Sequence, residues 1–167
     1  MSFGEEAGNG NSAATARGRE WPSVRQFNVF LANRVGALVN LFRCFEKSDV
    51  RILSMTIIDT ADVAIVRLVL SHPERAIELL EQAKLMYTES DLLVVQLPDN
   101  KQPLLQICKA LLAAELNLHY AYPLLVGPAG LPALAIHVDN HEQAVQTLEA
   151  QGFVVFTEND LDDAPPY

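Results

Sequence analysis

Residues 27–58, FNVFLANRVGALVNLFRCFEKSDVRILSMTII, decide the fold. In their first part Phe27, Val29 and Leu31 alternate with other residues, as the buried positions of a strand do. A tight turn at residues 33–36 follows. Beyond it the apolar residues return at helical spacing, and a run rich in β-branched residues closes the stretch. The stretch therefore predicts a strand, a turn, an amphipathic helix and a second strand.

The residues that follow extend this pattern to a complete folding unit. A short polar turn at 60–62 separates the second strand from a third, predicted over 63–70. Ser71 and Pro73 are residue types that begin helices, with the Ser71 hydroxyl as the cap. A fourth strand is predicted near 85–88. The order strand, helix, strand, strand, helix, strand is that of the ferredoxin-like βαββαβ plan.

The chain then repeats this unit. Phe27 corresponds to Leu93 at an offset of 66, and beyond the central hairpin Leu80 corresponds to Leu148 at an offset of 68. Two copies predict an α+β fold: two ferredoxin-like βαββαβ repeats that form a joint antiparallel sheet with the helices on one face. Pairing the sheet edges removes exposed strand amides. The second copy is predicted to hold strands at 91–97, 116–126, 132–138 and 153–157 and helices at 101–114 and 140–151.

Composition divides the chain into four segments. Residues 1–21 are mostly small and polar, and they cannot bury enough apolar area to offset the entropy of ordering, so this N-terminal tail is predicted to be disordered. Repeat 1 is assigned to residues 22–89 and repeat 2 to residues 90–158. Residues 159–167 are predicted to form a solvated, acidic C-terminal tail.

Charge and cysteine content exclude several classes of partner. The net charge is −9, which repels phosphate backbones and anionic lipids, so we expect neither nucleic acid nor a membrane surface as a partner. The first ten residues include acidic residues and no apolar run, so we do not expect them to act as a secretory signal. Cys44 and Cys108 lie in apolar helical patterns and predict buried free thiols in a cytoplasmic protein. Residues 121–138 are uncharged, but their prolines and glycines indicate two strands joined by a turn instead of a membrane span.

The sequence shows no catalytic motif. It lacks a G-x-S-x-G nucleophile, a phosphate-binding G-x-x-x-x-G-K loop and an H-E-x-x-H metal motif. His137 and His141 are four residues apart, but a helix is predicted to begin between them at Asn140, which disfavours a metal pair. We therefore expect a protein that is not an enzyme and holds no cofactor.

Several segments resemble the ACT-domain family. Residues 31–38, LANRVGAL, resemble the turn after the first ACT strand, with Val35 in place of the usual proline. Residues 49–52 and 115–118 resemble the entry to the second ACT strand, and residues 144–153 resemble the last helix and strand. The resemblance covers about residues 24–160. The arrangement is similar to stand-alone tandem ACT proteins of bacteria and archaea, some of which are labelled acetolactate synthase or its regulatory subunit.

The resemblance implies a site for a small ligand, most often an amino acid, where two ACT domains meet. The first turn would supply backbone amides, which suit a carboxylate, and the second strand of a neighbouring domain would supply the facing wall. A competing interpretation makes Asn33 only a helix cap. The second turn lacks glycine and holds Pro103, which has no amide, so we expect one ligand per chain. The candidate residues are Asn33, Arg34, Val35, Gly36, Ala37 and Leu38 in the turn, and Asn117, His119 and Tyr120 in the wall.

Three functions compete on this basis. The first is amino-acid-responsive regulation by a homo-oligomer, because apolar residues such as Phe30 lie on the face away from the helices. The amino acid would be its effector and a metabolic enzyme its partner. The second is a regulatory subunit associated with acetolactate synthase in branched-chain amino-acid synthesis. The third is a protein-interaction module without a ligand.

Overall fold

The computed structural model describes residues 21–166, which hold seven strands and five α-helices. The predicted disordered tail, apart from Trp21, lies outside the described residues. No helix between residues 21 and 166 is long and apolar enough to cross a membrane. The strands are β1 (Val24–Ala32), β2 (Ile52–Asp59), β3 (Val63–Leu70), β4 (Met86–Gln96), β5 (Leu118–Pro123), β6 (Ala133–Val138) and β7 (Val155–Phe156). The helices are α1 (Ala37–Arg43), α2 (Pro73–Gln82), α3 (Pro103–Ala113), α4 (His141–Ala150) and α5 (Glu158–Asp162).

All the strands belong to one antiparallel sheet, in the order β2-β3-β1-β4-β6-β5, with β7 also paired to β4. The predicted joint sheet of two βαββαβ repeats is therefore confirmed. Residues 121–138 form parts of β5 and β6 around a short 3₁₀ turn at Pro128–Gly130, so the prediction of two strands and a turn is also confirmed.

Strand β4 belongs to both repeats. Its first half pairs with β1, from Phe30 opposite Met86 to Val24 opposite Leu92, and its second half pairs with β6 and β7. The separate strands predicted at 85–88 and 91–97 are thus one strand, and the boundary predicted between residues 89 and 90 falls inside it. Polar residues at 88–91 interrupt the apolar pattern, but ladder hydrogen bonds come from the backbone and continue through them.

Helices α1 to α4 cover one face of the sheet, which we call the outer face. Alternate residues of β1 and β3 pack under α1 and α2 in the core of repeat 1, where Phe27, Leu68 and Leu80 are fully buried. Alternate residues of β4 and β6 pack under α3 and α4 in the core of repeat 2. Alternate side chains of each strand point to this face, and their apolar residues are buried by the helices, as predicted.

The opposite, inner face is concave because the sheet curls until β2 meets β5. The Leu125 N–H donates to the Leu53 carbonyl at 2.7 Å, and the Ser54 hydroxyl donates to the Pro123 carbonyl. The curled sheet encloses a third core that both repeats share. Its main residues are Val24, Leu53, Val69, Leu92, Val94, Tyr122, Leu124, Ala133, Ala135 and Phe156.

The prediction of a solvated C-terminal tail over residues 159–167 is wrong for residues 159–164, which include part of α5 and the buried Leu161 and Ala164. Thr157 and Asp160 form a reciprocal capping box that begins α5. Leu161, only 1% exposed, and Ala164 pack into the third core. The prediction followed the acidic composition of this segment and overlooked its few apolar residues. Burying even one leucine side chain contributes about 1.5–3 kcal/mol to folding.

A buried ion pair attaches α5 to strand β1. Glu158 accepts hydrogen bonds from the Arg25 guanidinium at 3.0 and 3.1 Å and from the Arg25 backbone N–H at 3.0 Å. Glu74 approaches the same guanidinium at 2.8 Å. Burial alone would lower the pKa of Arg25, but these carboxylates raise it above its ordinary value. Arg25 therefore stays charged, and α5 is part of the fold.

The helix starts show one correct and one wrong cap prediction. Asn140 caps α4, since its side-chain oxygen accepts from the Gln143 N–H at 3.0 Å. Ser71 does not cap α2. Its hydroxyl accepts from the Arg51 N–H at 2.7 Å, so it joins the chain before β2 to the end of β3. The residue before α2 is His72, which has a φ of 48°.

The two free thiols differ, so the prediction that both are buried is wrong for Cys108, which is exposed on α3. Cys44 is half-buried, and burial raises the pKa of its thiol to about 11. We expect a disulfide reagent such as Ellman's reagent at pH 8 to label Cys108 quickly and Cys44 only on unfolding, because the thiolate is the reactive form. Cys108→Ser should abolish the fast phase. Fast labelling that survives in this variant would contradict the assignment.

Candidate ligand-binding site

The first turn borders a pocket of about 280 Å³ at the end of β1, which we call the turn pocket. One wall is the turn with the start of α1, and the other is the segment between α2 and β4. Arg34 and Lys84 bring two positive charges to its lining. The lining residues are Phe30, Leu31, Ala32, Arg34, Ala37, Asn40, Lys84, Leu85 and Met86.

Gly36 makes this turn possible. It precedes α1 with a φ of 86°, a left-handed conformation that other residues adopt only at a cost, and a Cβ built there would meet nothing within 4 Å. The start of α1 has no side-chain cap. Asn33 instead donates to the Asp59 carboxylate at 2.8 Å and to the Thr60 carbonyl at 3.0 Å, so the competing interpretation of Asn33 as a cap is wrong.

The other candidate turn residues differ in exposure. Arg34 is exposed beside the pocket, and Val35 is fully exposed. Ala37 and Leu38 are half-buried and pack against the core of repeat 1. The Asn33, Arg34 and Ala37 N–H groups already donate to carbonyls. The turn therefore offers a ligand the N–H groups of Val35 and Gly36 and one guanidinium.

The three residues proposed as the facing wall lie at the start of β5. The Asn117 N–H donates to the Asp139 carboxylate at 3.1 Å, and His119 Nε2 lies 2.5 Å from the same carboxylate. Tyr120 lies on the inner face, where its hydroxyl accepts from Gln26 Nε2 at 3.0 Å. Tyr120 thus lines the seam between the repeats, whereas His119 stays at the surface of repeat 2.

Within one chain, the structure does not bring the turn and this wall together. Tyr120 bonds to Gln26, near the beginning of β1, while Asn33 follows the end of that strand. A strand advances about 3.3 Å per residue, so the two places are about 23 Å apart along β1. A site built from both groups therefore requires two chains.

Repeat 2 holds a second pocket, of about 470 Å³, at the corresponding place. Its residues Asn100 and Gln106 stand 66 positions after Arg34 and Asn40 of the turn pocket. Here the Gln102 N–H is already bonded to the Asn100 side chain at 2.8 Å, and α3 begins with a proline. Gln102 corresponds to Gly36, so the N–H that Gly36 offers in the first turn is already used in the second.

Sequence reasoning missed Lys84 as a pocket residue. Lys84 has a φ of 55°, and its counterpart in the second pocket is Gly152, with a φ of 87°. The offset of 68 joins these two residues, so the internal repeat carried the signal. Among the residues that the structure describes, no group of three or more His, Cys, Asp or Glu could hold a metal ion.

Comparison with known proteins places this geometry in a family. The family model described as an ACT domain pair matches residues 22–164. The chain belongs to the ACT-domain-pair family. The family model spans both repeats of this ACT-domain pair. The turn pocket and the second pocket occupy corresponding positions in the two repeats. No curated protein matches the chain.

Solved structures share the fold of this ACT-domain pair. Protein BT0572 from Bacteroides thetaiotaomicron superposes with a TM-score of 0.75 at 20% identity, over 84% of this chain and 96% of that one. The ligand-free regulatory subunit of aspartate kinase from Thermus thermophilus superposes with a TM-score of 0.52 at 10% identity, over 77% of this chain and 91% of that one. At these identities the similarity concerns the fold.

Proposed function

We propose that this ACT-domain pair is a non-catalytic regulatory protein that binds a free amino acid in the turn pocket. The observation that carries the proposal is the uncapped Gly36 turn, open to solvent beside Arg34. Ligand pockets usually measure about 300–1,000 Å³. A pocket of about 280 Å³ suits one amino acid and is too small for a dinucleotide.

The lining of the turn pocket fits each part of an amino acid. The Arg34 guanidinium can bind the carboxylate in a charge-assisted pair, together with the N–H groups of Val35 and Gly36. Because α1 has only seven residues, we assign little to its dipole. The side-chain oxygen of Asn40 can accept from the ammonium. Leu85 and Met86 offer apolar contact to the side chain of the amino acid.

The facing wall would come from a second copy of the chain. In this proposal Asn117 and His119 of one protomer close the turn pocket of its partner, and the exposed Val35 joins the contact. Tyr120 takes no part, because it lies under Arg67 on the inner face of its own chain. An amino acid bound between two protomers then favours one assembly over another, which a partner enzyme can detect. The partner enzyme would belong to amino-acid metabolism, and acetolactate synthase is the first to test.

A thermal-shift screen against the twenty amino acids tests the binding function. A ligand that binds only the folded state raises the melting temperature as its concentration exceeds its Kd. We expect a selective rise with one amino acid or with a chemically related group. If none of the twenty raises the melting temperature, the regulatory function is wrong and the interaction module is favoured.

Replacement of Gly36 by aspartate tests the position of the site. The variant adds about 1–2 kcal/mol of backbone strain and a negative charge beside the carboxylate. We expect titration calorimetry to show one amino acid per wild-type chain and at least about tenfold weaker binding in Gly36→Asp.

Gly152→Asp is the matched control. Gly152 has a φ of 87° and equally open surroundings, but it lies at the second pocket. The control should fold with similar strain and keep the wild-type affinity. Equal losses in both variants, or two equivalent ligands per chain, would contradict the assignment to the first turn.

A further inference from the structure

A second feature lies on the inner face of repeat 1, beyond the third core. Two rows of side chains cross the strands β2, β3, β1 and β4 there, and we call them together the inner-face trough. The row nearer the third core is polar, and the row nearer the first turn is apolar. The polar row is Thr56, Arg67, Asn28 and Thr88, and the apolar row is Ile58, Ile65, Phe30 and Met86.

The trough is accessible. All the residues of the polar row are half-buried or exposed, and in the apolar row Met86 is 71% exposed while the other three are half-buried. Helix α5 closes the end of this sheet at which β1 begins, so the rest of the inner face stays open toward the first turn. An apolar row beside a polar row on one open face suits a small amphipathic molecule.

Arg67 is the unusual residue of the trough. Its guanidinium lies 3.9 Å from the centre of the Tyr120 ring, a cation–π contact. Within residues 21–166 it makes no hydrogen bond and has no carboxylate partner. Half-buried guanidinium groups are ordinarily paired, because burial of an unpaired charge is costly. In a chain with 21 acidic and 12 basic residues, this cation is available to an anion.

The surroundings of Arg67 are fixed in advance. The Tyr120 ring beneath it is held by the hydrogen bond from Gln26 and stacks on His137, with ring centres 4.9 Å apart. Asn28, opposite Arg67 in the ladder, donates to Ser90 at 2.7 Å. A ligand would therefore meet a guanidinium that the protein already orients, which reduces the entropy lost on binding.

The trough discriminates between kinds of carboxylic acid. No Asp or Glu stands among the residues of β1 to β4 that share the inner face. Glu89 pairs with Phe27, whose side chain is on the outer face. The trough can thus bind a carboxylate through Arg67, but it has no carboxylate to receive an ammonium group.

We infer that the inner-face trough binds a monocarboxylic acid that has an apolar body and no amino group. Its carboxylate pairs with the Arg67 guanidinium beside Thr56, and its apolar body lies over Phe30 and Ile65. This site shares Phe30 and Met86 with the lining of the turn pocket. It differs from that pocket in its anion-binding group, which is Arg67 instead of Arg34, and in its ligand, because the ligand proposed for the turn pocket carries both charges. The inference does not depend on amino-acid binding at the turn.

Three probes with one skeleton test this inference on the full chain. 3-Phenylpropionate carries the carboxylate, 3-phenylpropanamide is neutral, and L-phenylalanine adds an ammonium group. With methyl-labelled methionine, we expect 3-phenylpropionate at millimolar concentrations to shift the Met86 signal, assigned with Met86→Leu. Because Met86 also lines the turn pocket, the three probes are compared in Arg34→Gln, which removes the guanidinium of that pocket. We expect binding of the amide and of phenylalanine at the trough to be at least about tenfold weaker.

Variants locate the binding energy. Arg67→Gln should lower the affinity for 3-phenylpropionate by about tenfold or more. Arg67→Lys should retain part of this affinity, and Arg34→Gln should retain all of it. Circular dichroism of each variant checks that it folds. Absence of a Met86 shift, equal affinity for the acid and its amide, or unchanged affinity in a folded Arg67→Gln would each overturn the inference.

Discussion

Replacement of Glu158 by alanine lowers the free energy of unfolding by about 3 kcal/mol. Glu158 is 5% exposed, and it binds both the guanidinium and the backbone N–H of Arg25. Removing one partner of a buried pair costs about 3–5 kcal/mol, because the other charge stays buried. We expect the lower end of this range, since Glu74 still reaches Arg25 at 2.8 Å.

Urea denaturation followed by circular dichroism measures this effect. Glu142→Ala is the matched control, because Glu142 also lies in the first turn of a helix but is exposed. It should change the free energy of unfolding by no more than about 0.5 kcal/mol. If Glu158→Ala changed the free energy of unfolding as little as Glu142→Ala, the Arg25–Glu158 pair would contribute nothing to stability and α5 would be dispensable.

Replacement of Leu80 by alanine lowers the free energy of unfolding by about 2–5 kcal/mol, and repeat 2 loses stability together with repeat 1. Leu80 is 0% exposed in the core of repeat 1, so its truncation leaves a cavity. Because β4 carries hydrogen bonds of both repeats, we expect one cooperative transition.

Trp21 makes this coupling measurable. It is the only tryptophan of the chain, and it packs against the core of repeat 2. The midpoint of its fluorescence change should move with that of circular dichroism in Leu80→Ala. Leu112→Ala, at a position that is 75% exposed on α3, should leave both midpoints almost unchanged. A fluorescence midpoint that stays at the wild-type value in Leu80→Ala would show that the repeats unfold independently.

Most of the fold could be predicted because the internal repeat doubled each local signal. Phe27 and Leu93 occupy corresponding positions in β1 and β4, and both are fully buried, each in its own core. Periodicity identifies which side of an element is apolar, and two copies of the same periodicity make that identification robust.

The errors arose where tertiary contacts outweigh local composition. Helix α5 has only one buried leucine, Leu161, among acidic residues, and its ion pair with Arg25 joins residues 133 positions apart. Ser71 has the residue type of a cap, but its hydroxyl accepts a hydrogen bond from the N–H of Arg51, which lies 20 residues earlier in the chain. A local pattern contains no information about such distant partners.

The two candidate sites also differ in whether the sequence could predict them. The turn around Gly36 could be predicted because its special backbone conformation has a residue-type signature. Arg67 could not be predicted as a site residue, because a single arginine in a strand ordinarily indicates an exposed position. Only the curl of the sheet brings Tyr120 of repeat 2 beneath it.

The continuous strand β4 restricts how this protein can move. Hinges in proteins are a few loop or terminal residues that absorb changes in φ and ψ. Residues 86–96 are instead held in backbone ladders along their length, so no flexible joint separates the repeats. One repeat cannot swing against the other without breaking these ladders. An effector of this protein would therefore reorient whole protomers, as rigid bodies.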